Sequence, residues 1–140
     1  RATGHSPTTP PHRRSGLAAM LALGLAMAPM SPALAAPTIA DTRPYDERLM
    51  RLAELLGAVH YLRELCGAND GQLWRDRMRD LIQAEGSSAL RRARLTRSFN
   101  QGYRSYSRTY SACTPSAKTA IDRFLTEGAE ITDLLVKSSP

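Results

Sequence analysis

Apolar residues recur three and four positions apart through most of the chain after residue 44, the period of helices with one buried face. Tyr45, Leu49, Leu52, Leu56 and Val59 outline a first helix that runs to about Cys66. Pro44 opens it, Asp46 and Glu47 occupy the first turn, where the helix dipole favours anions, and Gly67 closes it. Ala68-Asn69-Asp70-Gly71 reads as a turn carrying the N-cap of a second helix, about Gln72 to Glu85, with Trp74, Met78, Leu81 and Ile82 on one face. Gly86 ends that helix. Ser87-Ser88 caps a third, whose stripe is Leu95, Phe99, Tyr103, Tyr106, Tyr110 and Cys113. Thr114-Pro115 stops helix three and starts helix four, whose stripe is Ala117, Ile121, Phe124, Gly128, Ile131 and Leu135. No stretch alternates with the period of a strand, and the turns are short. The pattern predicts an all-α domain over residues 44–137, a small antiparallel four-helix bundle.

Ahead of it lies a different kind of segment. His12-Arg13-Arg14, the apolar run Leu17 to Ala28 and Pro32-Ala33-Leu34-Ala35-Ala36 have the order of a secretory signal peptide, expected to span residues 1–35 with cleavage near Ala35. Residues 36–43 would remain as a mobile tail. The apolar run is too short for a transmembrane anchor, and the absence of a lipobox cysteine argues against a lipid tether. Arg13-Arg14 raises a twin-arginine route, but Ser15-Gly16 fits that signal badly, so unfolded secretion is expected. The full chain has a formal charge of +6, but three of its arginines lie in the leader, so 16 basic and 13 acidic residues remain, net +3. That modest charge, without a recognisable module, argues against nucleic acid as a partner.

The chemistry available is limited. Helices one and three run parallel in an up-down-up-down bundle, which brings the ends carrying Cys66 and Cys113 to one pole. A disulfide is expected there, and the missing Cys-x-x-Cys argues against a redox pair. The absence of Cys-x-x-Cys-His excludes covalent c-type haem, and no cofactor is expected. His60 is the one histidine outside the leader, too few for a metal site, and is expected to pair with Glu64 on the helix surface. Glu54, Glu64, Glu85 and Glu127 are candidates for a carboxylate-dependent hydrolase of peptidoglycan, with no motif to single one out. Arg94, Arg97, Arg104 and Arg108 lie opposite the aromatic stripe of helix three and form a candidate docking face for an acidic envelope protein, anionic lipid or peptidoglycan. Arg63 falls inside the apolar stripe of helix one, where it must snorkel to the end of the bundle or pair with a buried acid; a structural clamp at the disulfide pole is expected, with a small anion notch as the alternative. Gly57 and Gly128 sit in helix interiors, at about 1 kcal/mol each relative to alanine, and are expected to mark a close approach of helices one and four.

Pro44-Tyr45-Asp46-Glu47-Arg48-Leu49, the run Leu52 to Gly67 with its His60-Tyr61-Leu62-Arg63, Trp74-Arg75-Asp76-Arg77-Met78 and Phe99-Asn100-Gln101-Gly102-Tyr103 form a distinctive string. It resembles an uncharacterised family of small exported proteins of Gram-negative bacteria, a domain of unknown function, over about Pro44 to Leu134. The resemblance implies a periplasmic location, a Cys66–Cys113 pair and no established activity. Arg91 to Thr96 is more basic than that pattern. The chain is therefore expected to be a non-catalytic binding or adaptor protein of the cell envelope, with a peptidoglycan hydrolase as the alternative.

Overall fold

Residues 41–138 are described in this computed structural model, so the expected leader lies outside the described residues. Four helices follow in order: α1, Asp46–Leu65; α2, Leu73–Glu85; α3, Ala89–Thr109; and α4, Pro115–Ser138. No strand occurs among the described residues. Ser88 Oγ accepts from Arg91 N and Thr114 Oγ1 from Ala117 N, so two of the expected caps are formed. Helix α1 ends in a Schellman motif, with Gly67 at φ +74°, its N–H donating to Glu64 O and the Ala68 N–H to Arg63 O. Asp70 does not cap α2; Gln72 holds the N-cap position without a side-chain bond, because the Asp70 carboxylate is engaged elsewhere.

Helix α1 is the axis of the helical domain. Leu49, Ala53, Leu55, Gly57, Ala58, Val59, His60 and Leu62 are all buried, which covers every side of the helix rather than one stripe. Helices α3, α4 and α2 each pack on it, α3 most extensively. One cluster joins Leu55, Ala58, Val59 and Leu62 to Ala117, Ile121, Phe124 and Ile131 of α4. A second joins Leu49 and Ala53 to Met78 of α2 and to Leu95 and Phe99 of α3. The bundle thus has two cores flanking α1. Helices α2 and α4 leave an apolar groove between them, floored by Leu52, Leu55, Leu56 and Val59.

The parallel α1–α3 pairing is the tightest contact. A Cβ built on Gly57 would lie 1.9 Å from Phe99 O, and one on Gly102 would lie 1.9 Å from Glu54 O. The two backbones touch through reciprocal glycines, with Ala53 buried one turn away. This corrects the expectation for Gly57 and Gly128: the partner of Gly57 is α3, and a Cβ on Gly128 would meet only Leu52 Cδ1 at 3.9 Å, an ordinary contact. Helix α3 also ends at Thr109, four residues before Cys113. Tyr110 turns extended at φ −121° and ψ 119°, its carbonyl accepts the Tyr61 hydroxyl at 2.5 Å, and residues 110–114 carry Cys113 back toward α1. Cys66 and Cys113 are bridged with a Cα–Cα distance of 4.8 Å, so the expected disulfide is present.

Candidate functional site

Helix α3 holds six arginines and no acidic residue in its 21 positions. One of them, Arg91, points inward. Of the rest, Arg92, Arg97, Arg104 and Arg108 line one open trough of about 640 Å³ together with Thr96, Asn100, Gln101 and Ser105. Arg92 donates to the Gly86 carbonyl at 2.9 Å. Arg97, Arg104 and Arg108 form no ion pair among the described residues, so their charge faces outward. Arg94 lies elsewhere: it is half-buried beside Asp46, Glu47 and Met50, in the crevice between α3 and the first turn of α1. Helical spacing puts Arg94 within about 40° of the far side of α3 with the other three, but the adjacent α1 turn takes that edge. Arg92 escapes the same arithmetic, since its helical angle falls among Leu95, Phe99 and Tyr103; it reaches the trough from the first turn of α3.

At the disulfide pole, Arg63 donates to both carboxylate oxygens of Asp70, with its Nη2–Oδ1 bond at 2.8 Å, and Trp74 Nε1 donates to Asp70 Oδ2 at 2.8 Å. The Arg63 guanidinium and the Trp74 indole bonds hold the Asp70 carboxyl at about 2. The charge of Arg63 is therefore balanced within the fold, and the residue acts as a clamp between the end of α1 and the start of α2. His60, 6% exposed, differs from its expected surface pairing with Glu64. Its Nε2 accepts from Arg75 Nε at 3.0 Å, and its ring lies against Phe99 and Tyr103. Burial and the Arg75 charge lower its pKa, with Glu64 opposing them. His60, Glu64, Asn69, Gln72 and Arg75 line a polar cleft of about 330 Å³ at this pole.

The opposite pole is organised by a residue that the helical pattern did not single out. Arg91 is 1% exposed and forms ion pairs with Asp46 at 2.6 Å and Glu85 at 3.3 Å. It also donates to Glu85 O and Asp41 O, and Tyr45 donates to the same Glu85 carboxylate. Burial opposes its charge, but Asp46 and Glu85 outweigh burial and raise its pKa. The signal available in the sequence was an arginine four residues before Leu95, on the core side of α3.

Of the four candidate carboxylates, Glu85 is taken by this network. Glu54 and Glu127 both receive Arg51, which donates to Glu127 at 2.7 and 3.0 Å and to Glu54 at 3.1 Å. Glu64 alone is exposed at the edge of a polar cleft. No group of three or more histidine, cysteine, aspartate or glutamate side chains suited to a metal ion occurs among the described residues, and no described helix is long and apolar enough to cross a membrane.

A disulfide-pinned helical domain with this motif string matches the family described as "Protein of unknown function (DUF2385)" over residues 44–138. The chain belongs to that family. No curated protein and no solved structure matches it.

Proposed function

We propose that the protein is an exported periplasmic adaptor without catalytic chemistry of its own, acting in assembly or maintenance of the cell envelope. Its docking surface is the arginine face of α3, and its partner is an acidic envelope protein. The observation that carries this reading is the outward face made of Arg92, Arg97, Arg104 and Arg108, a trough with no acidic residue in its lining. A helix with no acid of its own spends little of that charge internally, and such a field raises the rate of encounter with an oppositely charged surface. Export is supported by the leader-like sequence and by the disulfide, a bond that persists in oxidising compartments.

The test is in-cell crosslinking followed by mass spectrometry, comparing the native chain with the Arg104→Glu/Arg108→Glu double variant. Exposed substitutions stay within about 0.5 kcal/mol of stability, so circular dichroism should show an unchanged fold. Recovery of the crosslinked partners should fall at least several-fold, and the remaining association should lose its salt dependence. Capture at native yield by a folded double variant defeats the proposal.

A second reading, hydrolysis of peptidoglycan, retains one residue. Glu64 shares its cleft with His60 and Arg75, whereas the other three carboxylates are committed to arginine. Turnover of purified peptidoglycan that disappears in Glu64→Gln would favour it over the adaptor.

A further inference from the structure

The polar cleft at the disulfide pole holds two opposite charges that the fold leaves unpaired. Arg75 and Glu64 both line it and act on His60 in opposite electrostatic senses, yet they do not pair with one another. Arg75 instead donates its Nε–H to His60 Nε2 at 3.0 Å, and the Glu64 carboxylate makes no hydrogen bond or ion pair with any described residue. An arginine that takes a neutral imidazole while a carboxylate stands on the same cleft is placed by packing and hydrogen bonding rather than by charge. The imidazole that places it is only 6% exposed and lies against the rings of Phe99 and Tyr103. With Nε engaged, the two Nη groups of Arg75 remain, and they have no acceptor among the described residues. The side-chain amides of Asn69 and Gln72 are likewise unbonded, Gln72 standing at the N-cap position of α2 without capping it. Asp70, on the same wall, is by contrast fully engaged by Arg63 and Trp74.

We infer that this cleft binds a small zwitterion with one carboxylate and one ammonium, the chemistry shared by a free amino acid and a dipeptide. The Nη pair of Arg75 is a planar fork that meets a carboxylate with two parallel bonds. Glu64 receives the ammonium, and Asn69 and Gln72 supply donors and acceptors to whatever joins the two charges. A cation and an anion kept apart on one cleft discriminate against singly charged molecules. An anion alone leaves Glu64 without a partner and adds like charge beside it, and a cation alone does the same to Arg75. His60 is a positioning residue, acting through the orientation of Arg75.

Trp74 is the sole tryptophan of the chain and lines the cleft, so its indole N–H signal in proton–nitrogen NMR spectra reports occupancy. The experiment adds alanine, alanyl-alanine, propionate or ethylamine to the purified protein at neutral pH. A saturable shift with one site per chain is expected for a zwitterion, and the stronger of alanine and alanyl-alanine identifies the charge spacing the cleft takes. Propionate and ethylamine should each bind at least about tenfold more weakly, the cost of one lost charge-assisted contact. Glu64→Gln, an exposed change that leaves the fold intact, should weaken zwitterion binding about tenfold and close the gap to propionate. His60→Leu should weaken it as well, and His60→Gln, which keeps an acceptor for Arg75, should restore most of the loss; a thermal scan verifies both folds. The absence of a saturable shift with either zwitterion overturns the inference. So does equal affinity for propionate, which marks a plain anion site, or native affinity in Glu64→Gln. The titration needs no partner protein and alanine has no bond to hydrolyse, so its outcome is separate from those of the adaptor and hydrolase readings.

Discussion

Arg91 shows how much of this domain rests on a single charge withdrawn from water. Its guanidinium ties the start of α1, through Asp46, to the end of α2, through Glu85, from a position on α3. A planar fork can meet two carboxylates and two carbonyls at once, whereas an ammonium cannot. Arg91→Met should destabilise by about 3–5 kcal/mol, because it leaves two carboxylates facing one another, and Arg91→Lys should recover little of that loss. Thermal denaturation measures both; a drop below a few degrees in Arg91→Met would show that the network is energetically neutral. His60 carries a different liability. Buried beside Arg75, it has a lowered pKa in the folded chain, so the unfolded chain takes up a proton first as pH falls. The stability it contributes is complete above its unfolded value of about 6.5 and is lost as pH falls through the folded value. The midpoint of the native protein should therefore decline as pH falls below about 6.5. His60→Gln, which keeps an acceptor for Arg75 without titrating, should flatten that slope; an equal slope in the variant assigns the acid sensitivity to other groups.

Helices were legible in the sequence because each of α2, α3 and α4 has one apolar side, and because Gly67, Gly86, Ser88 and Thr114-Pro115 punctuate them by local chemistry. The centrality of α1 was harder to see. Its leucines suggest one stripe, yet Ala53 and Gly57 complete a second buried face out of small residues whose low hydrophobicity hides it. Gly102, likewise invisible to a search for large apolar residues, supplies the other half of the α1–α3 contact. These glycines make opposite predictions. Gly57→Ala puts a methyl group into the Phe99 carbonyl and should cost about 1–3 kcal/mol despite the better helix propensity of alanine. Gly128→Ala meets no obstruction and should stabilise by about 0.5–1 kcal/mol. Paired thermal scans decide it, and equal shifts of the same sign would refute the reciprocal glycine contact. The candidate site was partly legible for the same reason: Arg97, Arg104 and Arg108 follow from helical spacing, whereas the engagement of Arg94 with α1 and of Arg63 with Asp70 depends on neighbouring elements.

At the scale of the helical domain, three helices are held mainly to one central helix, with α2 also touching α3 through Met78 and the Arg91–Glu85 pair, an arrangement that leaves α3 free to present its arginines on one side and opens the α2–α4 groove on the other. Such a layout lacks the mutual closure of a bundle in which every helix meets two neighbours, so a covalent brace matters more to it. The Cys66–Cys113 bridge closes a separation of 47 residues that contains the whole of α2 and α3. On the chain-entropy model a loop of that length is worth about 4 kcal/mol, against ~5–15 for the whole stability of a small domain. Cys66→Ser/Cys113→Ser should lower the thermal midpoint by about 16–32 °C, since each kcal/mol corresponds to about 4–8 °C at this size. The same variant should keep the Gly57–Gly102 crossing, because that contact lies two turns from the bridge and rests on backbone fit. Local release should appear first at residues 110–114, where the Tyr61 hydroxyl bond to Tyr110 O and the bridge are the main ties. Hydrogen exchange reads this: early loss of protection confined to the 110–114 loop and the end of α1 is expected below the midpoint. Simultaneous loss across α1 and α3 would instead show that the bridge, and not the glycine contact, holds the two helices together.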